Sequence, residues 1–130
     1  MHRSRRTVEL PAPIGLGFSG QRATASRRKR DCRDQARLTC INAQTGTPLW
    51  TCDHATDYED LLGYNNGPRA TPMVDGDRVY TFSAEGILQC VRVSDGGLIW
   101  RADTSRDFHV VKNFFGVGST PLVWRDLLIV

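Results

Sequence analysis

Residues 71–100 read Thr-Pro-Met-Val-Asp-Gly-Asp-Arg-Val-Tyr-Thr-Phe-Ser-Ala-Glu-Gly-Ile-Leu-Gln-Cys-Val-Arg-Val-Ser-Asp-Gly-Gly-Leu-Ile-Trp, and this stretch decides the fold. Three short runs rich in β-branched, aromatic and aliphatic residues follow a shorter opening run. Asp75-Gly76, Glu85-Gly86 and Asp95-Gly96-Gly97 stand at the junctions. Such phrases are turn chemistry, because glycine takes a positive φ without steric penalty. The prediction is four short strands in one antiparallel meander. Val79 alternates with Tyr80 and Phe82, and Leu88 and Cys90 alternate with Val91 and Val93, so both faces of the sheet are apolar and must be sandwiched between similar sheets.

The neighbouring chain supplies such a sheet. A gap-free shift of 50 residues sets Leu38 on Leu88, Cys40 on Cys90, Ile41 on Val91, Gly46 on Gly96, Leu49 on Ile99 and Trp50 on Trp100. The match runs on into the loops, with Asp53 on Asp103, Asp57 on Asp107, Tyr58 on Phe108 and Tyr64 on Phe114. After one deletion the period becomes 49, and Thr71-Pro72-Met73-Val74 returns as Thr120-Pro121-Leu122-Val123. Repeats of about 50 residues, each a four-stranded meander, indicate an all-β fold of the β-propeller type. Closed propellers hold roughly four to eight blades. The chain of 130 residues is therefore expected to be an incomplete propeller, a fragment of about two blades.

These residues carry a family resemblance. Cys40-Ile-Asn42-Ala-Gln-Thr45-Gly46-Thr-Pro-Leu-Trp50 resembles the repeat of pyrroloquinoline-quinone-like (quinoprotein-type) propellers, Ala-x-Asp-x-x-Thr-Gly-x-x-x-Trp, with Cys for the Ala and Asn for the Asp. The second copy is more degenerate: Cys90, Arg92 and Asp95 depart from the pattern while Gly96 and Trp100 agree. The resemblance covers residues 38–130. It implies the fold, whereas the same repeat serves quinoprotein dehydrogenases and non-enzymatic propellers such as the outer-membrane assembly lipoprotein, so fold analogy alone does not give function. The repeat-marking residues Cys40, Gly46, Trp50, Cys90, Gly96 and Trp100 are read as structural. The two tryptophans are expected to wedge between consecutive blades, each N–H bonded to a neighbouring carbonyl; the competing reading stacks their rings on a cofactor.

Charge divides the chain. Residues 1–37 hold ten Lys or Arg against three acids, a net of +7, and residues 38–130 seven against eleven, a net of −4. The reading is a basic, non-propeller or disrupted leader (1–37) followed by the repeats (38–130), with no nucleic acid and no direct membrane insertion expected. Within the leader, Gly15-Leu-Gly17-Phe-Ser19-Gly20 resembles the blade-opening Gly116-Val-Gly118-Ser119, and residues 21–33 read as a reading-frame disruption of a former blade. Translating the coding DNA in its other frames tests this; the absence of a hydrophobic hairpin there would sink it. A twin-arginine-like phrase, Ser4-Arg5-Arg6, is followed by an apolar run that Pro11 and Pro13 break, which argues against a signal peptide. Cys32, Cys40, Cys52 and Cys90 form no C-x-x-C pair, and Cys40 and Cys90 read as small core residues.

Chemistry-bearing motifs are sparse. No nucleophile elbow, His-Glu-x-x-His, phosphate loop or dinucleotide fingerprint is present. Loops of 20 residues (51–70) and 19 residues (101–119) link blade to blade and should emerge on one face, the expected functional rim. The paired aromatics Tyr58/Phe108 and Tyr64/Phe114 are read as packing their own loops. Asp53, Asp57, Glu59 and Asp60 cluster beside His54 without calcium-loop spacing, so no metal site is assigned. Arg69, in Asn65-Asn66-Gly67-Pro68-Arg69, is the candidate cofactor-binding residue, able to clamp a carboxylate or a quinone or to pair with the acids at 57–60. No catalytic residue and no cofactor are assigned.

The favoured function is a non-catalytic propeller module in a binding or assembly role, partnered by further blades or another protein. The alternative is part of a dehydrogenase using pyrroloquinoline quinone with calcium, although the vicinal cysteines of the alcohol-oxidising enzymes are not in this sequence. By resemblance alone the setting is periplasmic or extracytoplasmic. Residues 1–130 on their own are expected to be partly unfolded or self-associating, because outward faces carrying Val79, Tyr80, Phe82, Leu88, Val91 and Val93 would meet water.

Overall fold

A computed structural model describes residues 6–9, 21–30, 33–60, 62, 68–111 and 115–130, with side chains from residue 35 onward. Blade 1 is a four-stranded antiparallel sheet in the order β1 (Arg6–Glu9), β2 (Gln21–Arg30), β3 (Arg33–Asn42) and β4 (Pro48–Ala55). Blade 2 repeats it with β5 (Met73–Asp75), β6 (Arg78–Phe82), β7 (Ile87–Arg92) and β8 (Leu98–Asp103). A short helix α1 (Thr104–Phe108) leads to the hairpin β9 (Leu122–Trp124) and β10 (Leu127–Ile129), which opens a third blade. The expected four-stranded meander at 71–100 is present. Two departures stand out. Residues 21–30, which show no apolar period, run as a strand paired along its whole length with β3, in the place that β6 holds in blade 2. The second long loop, expected without regular structure, begins with α1, because Asp103 caps it by accepting from the Arg106 backbone N–H at 3.1 Å.

Strand alternation decides what faces what. From β6 and β7, Val79 and Val91 point toward blade 1 and pack with Leu38, flanked by Trp50 and Cys52. Phe82 and Leu88 point the other way and pack with Trp100, Val117 and Leu128. The second interface reuses the first, since Leu88, Trp100 and Leu128 stand one period after Leu38, Trp50 and Val79. This corrects the expectation about exposed core residues. Val79, Tyr80, Phe82, Leu88 and Val91 are all buried, because blade 2 is covered on one side by blade 1 and on the other by β9 and β10. The exposed apolar face belongs instead to Leu122, Trp124, Leu127 and Ile129.

The turns at 42–47 and 92–97 close with the same backbone bonds, Gly46 N–H to the Asn42 carbonyl and Gly96 N–H to the Arg92 carbonyl. Their side chains differ. Asn42 Oδ1 accepts from the N–H groups of Gln44 and Thr45, whereas Arg92 pairs with Asp95, whose carboxylate also accepts from Gly97 N–H. The degenerate copy thus replaces an Asx-type turn with an ion pair. The β3–β4 and β7–β8 pairings each carry a register shift at one repeat position, between Cys40 and Ile41 and between Cys90 and Val91.

Trp50 spans the blade boundary. Its indole N–H donates to the Val93 carbonyl at 2.7 Å, and its ring lies on Gly96, where a Cβ would sit 2.5 Å from the ring. Gly96 is therefore required twice, for its φ of +71° and for the ring above it, while Gly46 has the same φ with open space around it.

Candidate functional site

The connections β4 to β5 and β8 to β9 leave their blades at the same end as the β6–β7 turn, so the two long loops share a face. Three contacts hold them there. Tyr58 in the first loop donates its hydroxyl to the Phe115 carbonyl of the second at 2.9 Å. Thr104 Oγ1 and backbone N–H both donate to the Gly86 carbonyl, at 2.7 and 2.9 Å. Thr71 N–H donates to Oγ1 of its register mate Thr120 at 3.3 Å.

Arg69 lies within this frame. Its Nη2 donates to Asp60 Oδ2 at 3.0 Å and to the Tyr58 hydroxyl at 3.1 Å, and the guanidinium stands 5.6 Å from the Tyr58 ring centroid. The Asp60 side chain is 1% exposed and that of Arg69 20%. Of the two sequence readings, pairing with the acidic loop is the one the structure displays, and the partner is Asp60. Arg69 fixes a loop here; its Nε is buried without a hydrogen-bond partner. The acidic cluster around His54 is drawn apart, with Asp53 in a two-pronged pair with Arg37 on β3 and Asp60 on Arg69. Among the described residues no three His, Cys, Asp or Glu side chains converge.

A cleft open to solvent runs between the blades under the first loop, lined by Arg37, His54, Thr56, Phe82, Ser83 and Glu85 among others. Thr56 donates its hydroxyl to Glu85 across it. His54 Nε2 is buried without a partner. Burial pushes the imidazole below its ordinary range, as does Arg101, against the opposing pull of Glu85 and Asp53. An unfolded histidine titrates near 6.5. Since the folded form resists protonation, stability is expected to be flat above that value and to fall as pH drops below it, until the folded pKa is reached. The slope is at most about 1.4 kcal/mol per pH unit. Comparing urea midpoints of the parent chain and His54→Gln between pH 7.5 and 5 checks this, and an unchanged slope in the variant would show that another group is responsible.

The repeat-marking residues keep structural positions. Cys40 and Cys90 are fully buried, and burial raises both thiols above their ordinary range. Trp50 and Gly96 meet at the first blade boundary, and Trp100 lies in the second cluster. The aromatic equivalence of the loops breaks: Tyr58 is held between Arg69 and Phe115, but Phe108 is 71% exposed, a correction to the self-packing reading. Tyr64, Phe114, Cys32, His2 and the Gly15–Gly20 phrase lie outside the described residues. Sequence reasoning passed over one feature of the rim. Leu62, Phe108, Val110, Val111 and Phe115 are all exposed on the two loops, and the apolar phrase Phe-His-Val-Val at 108–111 was its signal.

Residues 34–130 match the family described as Outer membrane protein assembly factor BamB. The crystal structure of BamB from Moraxella catarrhalis is similar, with 13% sequence identity and a TM-score of 0.45 over 79% of this chain and 39% of that one. This chain thus spans well under half of that protein's length. No curated protein sequence matches.

Proposed function

Because the chain belongs to the propeller-repeat family of the outer membrane protein assembly factor BamB, we propose that it is a non-catalytic β-propeller module whose loop face binds a protein partner in an assembly role. The observation that carries this is the rim: five exposed apolar side chains, Leu62, Phe108, Val110, Val111 and Phe115, on two loops anchored to one another through Tyr58. Apolar side chains exposed on one face of a protein mark a surface that a partner covers. A periplasmic or extracytoplasmic setting belongs to the same proposal, as does the absence of a need for a cofactor.

Photocross-linking tests it. With a benzoylphenylalanine at position 108 or 111, illumination in cells is expected to give a discrete adduct with one protein, identified by mass spectrometry. The same group at Leu49, which is 49% exposed on β4, is expected to give none. Equal adducts from all three positions would remove the rim from consideration. A second measurement addresses catalysis directly. Pyrroloquinoline quinone and calcium added to the purified chain are expected to give no dye-linked alcohol oxidation above the blank, and turnover would move the chain to the dehydrogenases.

A further inference from the structure

The cleft under the first loop has walls from both blades. Leu38 and His54 belong to β3 and β4, Phe82 to β6 and Glu85 to the β6–β7 turn, while Ala70 and Pro72 come from the chain entering β5. Its volume is about 40 Å³, room for roughly three waters at about 10–15 Å³ each. Because the cleft is open to solvent, a larger group can enter it by one end. Tyr58, which also lines the cleft, is the residue that holds Phe115 of the rim. The cleft and the apolar rim are therefore neighbours on one face.

Most of the polar groups there are already committed. Arg37 is forked on Asp53, the Thr56 hydroxyl donates to Glu85, and Ser83 Oγ accepts from the Ile87 N–H at 3.1 Å. His54 is different, because its Nε2 is buried without a hydrogen-bond partner. A buried polar atom left unpaired is costly, so an occupant that bonds to it is favoured. The surroundings say which occupant. Burial keeps the imidazole neutral, so Nε2 donates or accepts according to tautomer, and a hydroxyl can meet either need. Glu85 and Arg37, of opposite charge, both line the cleft, so neither a carboxylate nor an ammonium enters without meeting a like charge. The walls of Leu38, Ala70, Pro72 and Phe82 are apolar, which suits the flank of a ring.

We propose that this inter-blade cleft is the seat of a tyrosine side chain of the protein that docks on the loop face, with the phenol hydroxyl bonded to His54 Nε2. The proposal rests on the rim as a protein-binding surface and adds what the partner must carry. Only the hydroxyl end of the ring has to enter a space of this size, and the rest lies against the apolar walls at the open side. Phenylalanine would leave Nε2 unpaired, and serine would leave those walls uncovered. Amphipathic aromatics of this kind are the usual anchors of protein interfaces.

The test titrates N-acetyl-tyrosinamide into the isotope-labelled full chain and follows the imidazole nitrogen resonances, His54 being assigned by its disappearance in His54→Phe. Saturable movement of the His54 resonance is expected, with a Kd of about 1–10 mM. The corresponding phenylalanine and O-methyltyrosine amides should bind at least about fivefold more weakly. In His54→Phe the preference for tyrosine over phenylalanine, followed by tyrosine-ligand line broadening, should vanish. If that variant does not fold, the comparison of the three ligands in the parent chain decides alone. Equal affinity for the tyrosine and phenylalanine amides, movement confined to His109 on the rim, or no saturable movement, the result for a cleft that holds water only, would each overturn the proposal. None of these readouts needs the cross-links at 108 or 111, so their failure leaves the rim reading standing.

Discussion

Arg69→Ala is expected to lower the stability of the chain by about 3 kcal/mol, the low end of what is lost when one partner of a buried ion pair is removed. The carboxylate left behind is 1% exposed, while Arg69 itself is 20% exposed, and that partial access of solvent is why the upper end is not expected. The same guanidinium also holds the Tyr58 hydroxyl, and Tyr58 in turn holds the Phe115 carbonyl, so the loss spreads from one loop to the other. Urea unfolding checks this as a shift in midpoint at constant slope. Arg69→Lys, which keeps the charge but not the planar fork, should recover only part of the loss. A cost for Arg69→Ala below about 1 kcal/mol, the range of an exposed pair, would mean that Asp60 reaches water and that Arg69 is available to a ligand.

The second large effect joins Trp50 and Gly96. Trp50→Ala removes a half-buried ring from the first blade interface together with its bond to Val93, and should cost about 3 kcal/mol. Gly96→Ala combines a left-handed backbone position, about 1–2 kcal/mol for a residue with a Cβ, with the overlap of that Cβ and the Trp50 ring, about 1–3 more. Gly46→Ala has the backbone cost alone, since nothing lies within 4 Å of its Cβ position. A double-mutant cycle separates the contributions. In the Trp50→Ala background, Gly96→Ala is expected to cost no more than Gly46→Ala does in the parent, giving a coupling of about 1–3 kcal/mol. Strict additivity would show that the ring does not rest on Gly96 in solution.

Both predictions concern how blades and loops are tied together, and that is where a propeller repeat has its freedom. A blade's hydrogen-bonded ladder is internal, but its faces and its long connections depend on neighbours. The loop face can therefore be anchored by Arg69, Asp60 and Tyr58 at its base while Phe108 and Val111 stand out on the rim.

The period, the turn glycines, the alternation that sends Val79 one way and Phe82 the other, and the place of Trp50 against the next blade were legible in the sequence. Each depends on a residue and its near neighbours, or on their exact recurrence, and both can be read without knowing the packing. Tertiary structure alone decided the rest. Residues 21–30 have no strand pattern of their own, yet they form β2 because the backbone groups along β3 need partners. Asp60 rather than Asp57 or Glu59 became the partner of Arg69 through the path of the chain between blades, which spacing does not encode. Tyr58 and Phe108 are equivalent in the repeat, yet Tyr58 is half-buried and Phe108 exposed. The contacts that hold the first come from Phe115 and Arg69, distant in sequence or across a loop.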